Sequence, residues 1–267
     1  MATACRLAAW AGVLALVVSG CGGGDAAGSS FEPKTPGVLT VATAFLPAPG
    51  FWEGNPPAGG LEAGLAAALA RRLGLERVRV VQVPFSTILA GKLGGADLAL
   101  SQMTPTEKRE ESVDFTTPYL TAPPGILARR DVDARDEKGL RELHWVVSTA
   151  STLTPILMDR VRPDSDPVVT EDRAGALRVL RAGRADALLL DLPVALGLAR
   201  EEPQRFHVLG QLSGGEGLAA VLPDGSPNRE IVDSAIRHLS ADGTVDELVS
   251  RWLGKSPDDI PLILTEQ

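Results

Sequence analysis

From Val38 onward, short apolar runs suited to buried strands alternate with longer segments of helical periodicity, and this alternation confines the chain to an α/β architecture. Val38 to Thr43 (VLTVAT) reads as an opening strand, and Leu61 to Leu73 carries the apolar repeat of a helix closed by Gly74. Val78 to Val83 is expected as a second strand, Ser86 to Leu93 as a helix with Ser86 as its N-cap, and Ala96 to Ser101 as a third strand. Strands separated by helices pair in parallel through crossovers, which excludes an all-β sandwich and a helical bundle.

A second set follows Pro123-Pro124. Gly125 to Arg129 and Trp145 to Ser148 read as strands around a short helix at Leu140 to Leu143, and a helix is expected from about Pro155 to Arg162. Val168 to Thr170 and Ala187 to Asp191 flank the helix Arg173 to Ala182, whose apolar face carries Ala176, Leu177 and Leu180. Gly217 to Leu222 is a last strand, followed by helices at Asn228 to Ser240 and Val245 to Leu253, with the turn Ala241-Asp242-Gly243 between them. No internal repeat and no long charge block is present.

A chain of 267 residues with 44% hydrophobic content can build one large domain or two lobes around a substantial core. Its net charge of -8 and lack of any basic run argue against a nucleic-acid partner, which needs a basic face to displace counterions. Residues 1 to 20 read as a secretory signal, with Arg6 in a short n-region and an apolar core from Leu7 to Val18 that is too short to remain as a membrane span. Val18-Ser19-Gly20-Cys21 resembles the bacterial lipobox, which implies lipidation of Cys21 and anchoring to the extracytoplasmic face of the cell membrane. Cys5 would leave with the signal and Cys21 would carry lipid, so no disulfide is expected within one mature chain. Residues 21 to 35 have the Gly/Ser/Ala/Pro composition of a flexible tether.

The loop Met103 to Tyr119, MTPTEKREESVDFTTPY, supports two readings. Thr106 can cap a solvated helix start with Glu107 on the favourable end of its dipole. Alternatively Arg109 forms an anion clamp, because a guanidinium grips a carboxylate through two parallel charge-assisted hydrogen bonds and the hydroxyl of Thr104 can complete the shell.

Six segments in order, among them LTVAT, GGLEAGLAAALARRLGL, PFSTILAGKLGGADLALSQMTPTEKREESVDFTTPY and AGRADALLLD, resemble the family 3 solute-binding proteins of bacterial ABC importers over about Val38 to Gly254. The resemblance implies a two-lobed periplasmic-binding-protein-like fold with a hinge crossed twice. Lobe one would comprise residues 36 to 122 and 219 to 267, and lobe two residues 123 to 218. It further implies that Arg109 binds the α-carboxylate of a free amino acid with help from Thr104, that Asp191 takes the α-ammonium, and that Thr152, with Ser151 before it, contributes at a helix N-terminus. Phe85 would wall the ligand side chain. A buried zwitterion requires both charges to be paired, which a cation from one lobe and an acid from the other provide.

The chain departs from the family where specificity is set. Ala44 and Phe45 follow the opening strand in place of the acid found in members that bind basic ligands, and Gly64 stands where the family has a second acid beside Glu62. Phe45 and Trp52 are expected to wall the pocket instead, which favours a neutral or acidic ligand. The implied function is capture by lobe closure and delivery to an ABC permease, by a monomer without catalysis, cofactor or metal. An enzyme on the same scaffold, resembling the cyclohexadienyl dehydratases, is the principal alternative, and an amino acid sensor domain is another. His144, His207 and His238 lack metal-ligand spacing and are expected at the surface.

Overall fold

The computed structural model describes residues 30–54, 57–215, 217–254 and 260–264, so the expected signal segment, the lipobox with Cys21 and the tether up to residue 29 lie outside the described residues. The chain begins with β1 (Val38–Thr43), α1 (Leu61–Arg72), β2 (Arg77–Gln82), α2 (Phe85–Leu89), β3 (Leu98–Met103), α3 (Glu107–Glu110), β4 (Val113–Phe115) and β5 (Leu120–Thr121). It then crosses to β6 (Pro124–Arg129), α4 (Glu137–Glu142), β7 (Trp145–Ser148), α5 (Leu153–Ile156), β8 (Val168–Thr170), α6 (Arg173–Arg181), β9 (Ala187–Asp191), α7 (Leu192–Glu201) and β10 (Phe206–Leu212). It returns through β11 (Gly217–Pro223), α8 (Arg229–Ala241) and α9 (Thr244–Trp252), and ends in β12 (Leu262–Leu264).

Two sheets result. The first has the order β2-β1-β3-β11-β4, with β5 also on β11, and the second has the order β12-β10-β6-β9-β7-β8. In the first, β1 and β3 are buried along their whole length, as near-continuous apolar runs of central parallel strands require. β2 lies at the edge and exposes Arg77 and Arg79, charges that discourage pairing with another chain. Helix α1 covers this sheet with Leu61, Leu65 and Leu69, which repeat every four residues and are fully buried.

The chain passes between the lobes at Thr121 to Pro124 and again between Leu212 and Gly217. These two passes touch, and a third follows later in the chain, since α9 packs on α1 of lobe one while β12 joins the second sheet. Gly215 holds φ +120°, and a Cβ there would lie 2.7 Å from Pro123 Cα, so only glycine allows the backbones to approach this closely. The lobes also meet away from this hinge. Gly197 of α7 receives the loop after β1, where a Cβ would stand 2.3 Å from the Pro49 carbonyl oxygen, and Arg200 donates to the carbonyls of Trp252 (2.8 Å) and Leu253 (3.2 Å) at the end of α9.

Four expectations are corrected. Residues up to 267 were assigned to lobe one, but β12 pairs with β10 in the second sheet, where the Gln211 amide donates to Pro261 O at 2.8 Å. The outer edge of β10 offers backbone groups that this segment satisfies. The tether was expected to reach residue 35, yet Phe31 is buried, the Glu32 amide donates to Asn228 Oδ1, and the Lys34 amide donates to Asp97 Oδ1 at 2.7 Å. Helix α2 starts one residue early with Pro84 rather than Ser86 at its cap, because the Pro84 carbonyl takes the amides of Thr87 and Ile88. The helix expected at Pro155 to Arg162 starts at Leu153, widens to a π turn over Leu157–Val161 and stops at Arg162 with φ +54°.

Candidate functional site

The carboxyl ends of β3 and β9 face a cavity of about 260 Å³ between the lobes, the position where open α/β sheets place ligands. Arg109 enters it from lobe one. The short helix α3 is capped by Thr106, whose Oγ1 accepts from the Arg109 amide at 3.3 Å, so the helix-start reading holds for the backbone. The side chain lines the cavity all the same. Arg109 Nη1 donates to the Thr104 carbonyl at 2.6 Å and Nη2 to the Ala150 carbonyl of lobe two at 3.1 Å, while its Cζ lies 5.8 Å from the Phe85 ring centroid. A guanidinium over an aromatic face and held by two carbonyls is fixed in orientation with its charge intact.

Lobe two supplies the acid. Asp191 ends β9 where α7 begins, half-buried on the cavity wall. Burial pushes its carboxyl above the ordinary range, opposed first by the charge of Arg173 and then by that of Arg109. Ser151 and Thr152 line the same wall. Thr152 occupies the cap position of α5 without a side-chain cap bond, and Ser151 Oγ accepts from the Leu153 amide at 3.1 Å.

Phe85 and Thr104 also line the cavity, but Phe45 and Trp52 do not. Those two rings stack edge to face with centroids 6.4 Å apart, and Trp52 Nε1 donates to the Leu100 carbonyl, which holds Trp52 against the core. Ala44 and Leu46 face the cavity in their place. Apolar backbone-proximal side chains thus replace the expected aromatic wall.

The sequence reading missed Arg173 and Gln102. Arg173 is the first residue of α6, and its Nη1 donates across the cleft to Gln102 Oε1 at 3.2 Å and to the Pro47 carbonyl at 3.4 Å. Burial draws its pKa down, and the charges of Asp191 and then Glu62 draw it up. Gln102 holds φ +47° and is fixed from behind by Glu62, which accepts from the Gln102 amide (2.8 Å), Gln102 Nε2 (2.5 Å) and Tyr119 Oη (2.5 Å). Because Nε2 is committed to Glu62, Oε1 is turned toward Arg173. The signal for Arg173 was its place directly after a strand and the capping Asp172, at the carboxyl end of a sheet.

The remaining polar groups do other work. His144 meets Asp186 at 3.0 Å, His207 the Val132 carbonyl and His238 the Ser234 carbonyl, at separate places. Among the described residues, no three His, Cys, Asp or Glu side chains are placed to hold a metal, and no helix is long and apolar enough to cross a membrane. A wider open groove beside α8 has charges that pair internally, Arg237 with Asp233 at 2.8 Å.

The sequence profile of the bacterial extracellular solute-binding proteins, family 3, matches residues 39–255. A probable histidine-binding protein of Campylobacter jejuni is 26% identical over 84% of this chain and 88% of its own length. The glutamine-binding protein GlnH of Bacillus subtilis is 23% identical over 61% of this chain, and the match spans only 60% of that relative. Among solved structures, an ancestral arginine-binding protein bound to glutamine aligns with a TM-score of 0.68 at 28% identity, covering 83% of this chain and all of that one. An ancestral amino-acid-binding protein described as a precursor of cyclohexadienyl dehydratase aligns at 0.66 and 29% identity, covering 81% of this chain and 95% of that one. The L-cystine-binding protein TcyJ of Escherichia coli is 26% identical over 73% of this chain and 74% of its own length.

Proposed function

This chain belongs to the bacterial extracellular solute-binding proteins, family 3, and from that premise we propose that it is a lipid-anchored receptor that captures a small neutral or acidic amino acid by lobe closure and delivers it to an ABC permease. One observation carries the reading: Arg109 of lobe one and Asp191 of lobe two line a single cavity between the sheets. An α-carboxylate on Arg109 and an α-ammonium on Asp191 pair both ends of a zwitterion, and because each end is held by a different lobe, binding favours closure. Thr104, Ser151 and Thr152 add hydroxyls around the carboxylate, and Phe85 supports Arg109 from below. A micromolar complex corresponds to roughly -8 kcal/mol, within reach of a few charge-assisted hydrogen bonds in an enclosed site.

The absence of an acid at Ala44 supports exclusion of basic side chains. The lipobox-like Val18-Ser19-Gly20-Cys21 supports the anchor, and the kinship of amino-acid-binding importer components supports the permease as partner. The fold neighbour described as a dehydratase precursor keeps an enzymatic alternative open. A thermal-shift screen of the free amino acids tests the reading, since a ligand at a hundredfold excess over its Kd adds about 2.7 kcal/mol of stability. A rise in melting temperature with a neutral or acidic amino acid is expected. Turnover of prephenate or arogenate, with no amino acid raising the melting temperature, would favour the enzyme.

A further inference from the structure

We propose that Arg173 reads a second carboxylate on the ligand, so that the cleft takes a dicarboxylic α-amino acid in preference to the matching amide. This rests on the amino acid reading of the cleft and adds the ligand's side-chain chemistry to it. One acid is shared by two cations lining the same cavity: Asp191 offsets the charge of Arg173 and also acts on Arg109. When the ligand ammonium takes Asp191 and the α-carboxylate takes Arg109, Arg173 loses the largest part of its compensation.

What remains to it is neutral or remote. Among the described residues its hydrogen bonds run through Nη1 alone, to Gln102 Oε1 at 3.2 Å and Pro47 O at 3.4 Å, both long for a charged donor. The other acids are engaged or misplaced. Asp172 spends Oδ1 on the Gly175 amide at 2.7 Å, capping α6, and Glu171 is exposed at the rim, where water screens it. Glu62 lies behind Gln102 and accepts three hydrogen bonds there, so it acts on Arg173 only at a distance. A guanidinium left in a closing cavity without an anion is strongly disfavoured, and a second carboxylate matches its planar fork. An amide oxygen supplies no charge.

The position agrees. Arg173 stands at the start of α6 on the wall that carries Asp191, and its guanidinium reaches across to Gln102 of the opposite lobe, so a side chain extending from a ligand held between Arg109 and Asp191 meets it inside the cavity. Ala44 and Leu46, the residues of the loop after β1 that line the cavity, are apolar and bring no acid there to compete for the guanidinium.

Calorimetric titration of the purified protein with L-glutamate, L-glutamine, L-aspartate and L-asparagine, repeated on Arg173→Gln and Arg173→Lys, tests this. In the wild type one acid is expected to bind at least about tenfold more tightly than its amide, the discrimination of a single charged hydrogen-bonding site. That ratio should collapse in Arg173→Gln and fall partway in Arg173→Lys, which keeps the charge without the fork; cooperative melting of the lysine variant establishes that it folds. An amide that binds as tightly as its acid in the wild type, or a ratio unchanged in both variants, overturns the role of Arg173 and leaves the receptor reading standing. If none of the twenty amino acids binds the wild type, the receptor reading itself fails and takes this inference with it.

Discussion

Asp191 is the residue whose charge state governs the cleft. Its carboxyl is raised by burial, with Arg173 and then Arg109 opposing, and an incoming ammonium would favour the ionised form and lower the pKa on binding. Affinity is therefore full above the raised pKa of the empty protein and falls as pH drops through it, starting at a higher pH than an exposed aspartate near 3.9 would give. Titrations of the cognate amino acid from about pH 7 downward toward the ordinary aspartate range should show this loss, and Asp191→Asn should bind weakly with a profile that stays flat until the ordinary carboxylate range is reached. Glu62 is also raised by burial, against hydrogen bonds from Tyr119 and Gln102, yet it does not line the cavity. Its folded-state pKa lies above its unfolded value, so its contribution to stability is present below about pH 4.5 and is lost as pH rises through the folded pKa. Loss of affinity that begins above the ordinary carboxylate range thus belongs to Asp191, and Glu62 acts on folding. That Arg109 and Asp191 line the cavity was foreseen, Arg109 from the chemistry of its own loop and Asp191 through the family resemblance. Arg173 was not, since its role depends on a carboxylate 18 residues away in sequence and on Gln102 of the other lobe, neither of which its own surroundings reveal.

Helices α4 and α6 begin in the same way and serve different ends. Asp136 Oδ1 accepts from the Gly139 amide at 2.8 Å, and Asp172 Oδ1 accepts from the Gly175 amide at 2.7 Å. Either aspartate changed to alanine should cost about 0.5–2 kcal/mol of stability, read from urea unfolding. Only Asp172→Ala should also weaken ligand binding, because α6 presents Arg173 to the cavity and α4 touches nothing there. Equal affinity in the two variants would detach the start of α6 from the site. The strands Trp145 to Ser148, Val168 to Thr170 and Ala187 to Asp191 were read to the residue, being β-branched or leucine runs bounded by polar turns. Helix α7 and strand β10 were not foreseen. Pro193 and Gly197 look like breakers in LPVALGLARE, but the proline occupies the first turn, where its missing N–H costs nothing, and the glycine is there to receive Pro49. In β10 the pairing with β6 shifts register between Val208 and Gly210, which disrupts the regular alternation by which a strand is recognised.

At the scale of the whole molecule, two sheets meet at a hinge whose crossings touch at Gly215 and Pro123, and Arg109 from one side and Asp191 from the other line a single cavity. The alternation of elements and the Pro123-Pro124 break marked an α/β chain in two sets, while the division into two lobes came from the family resemblance. What escaped was the return of the C-terminal strand to the second sheet and the inward turn of the loop after β1, where Phe51 is fully buried and Trp52 bonds Leu100. Both depend on which surface lies open to a distant segment, and that is decided by the assembled lobes. The central claim, that Arg109 and Asp191 clamp the two ends of an amino acid across this cleft, is tested most directly by calorimetric titration of the cognate amino acid into the wild type, Arg109→Ala and Asp191→Ala. Each substitution is predicted to cost at least about 2 kcal/mol of binding by leaving a buried charge without its partner. Unchanged affinity in both variants would contradict the account.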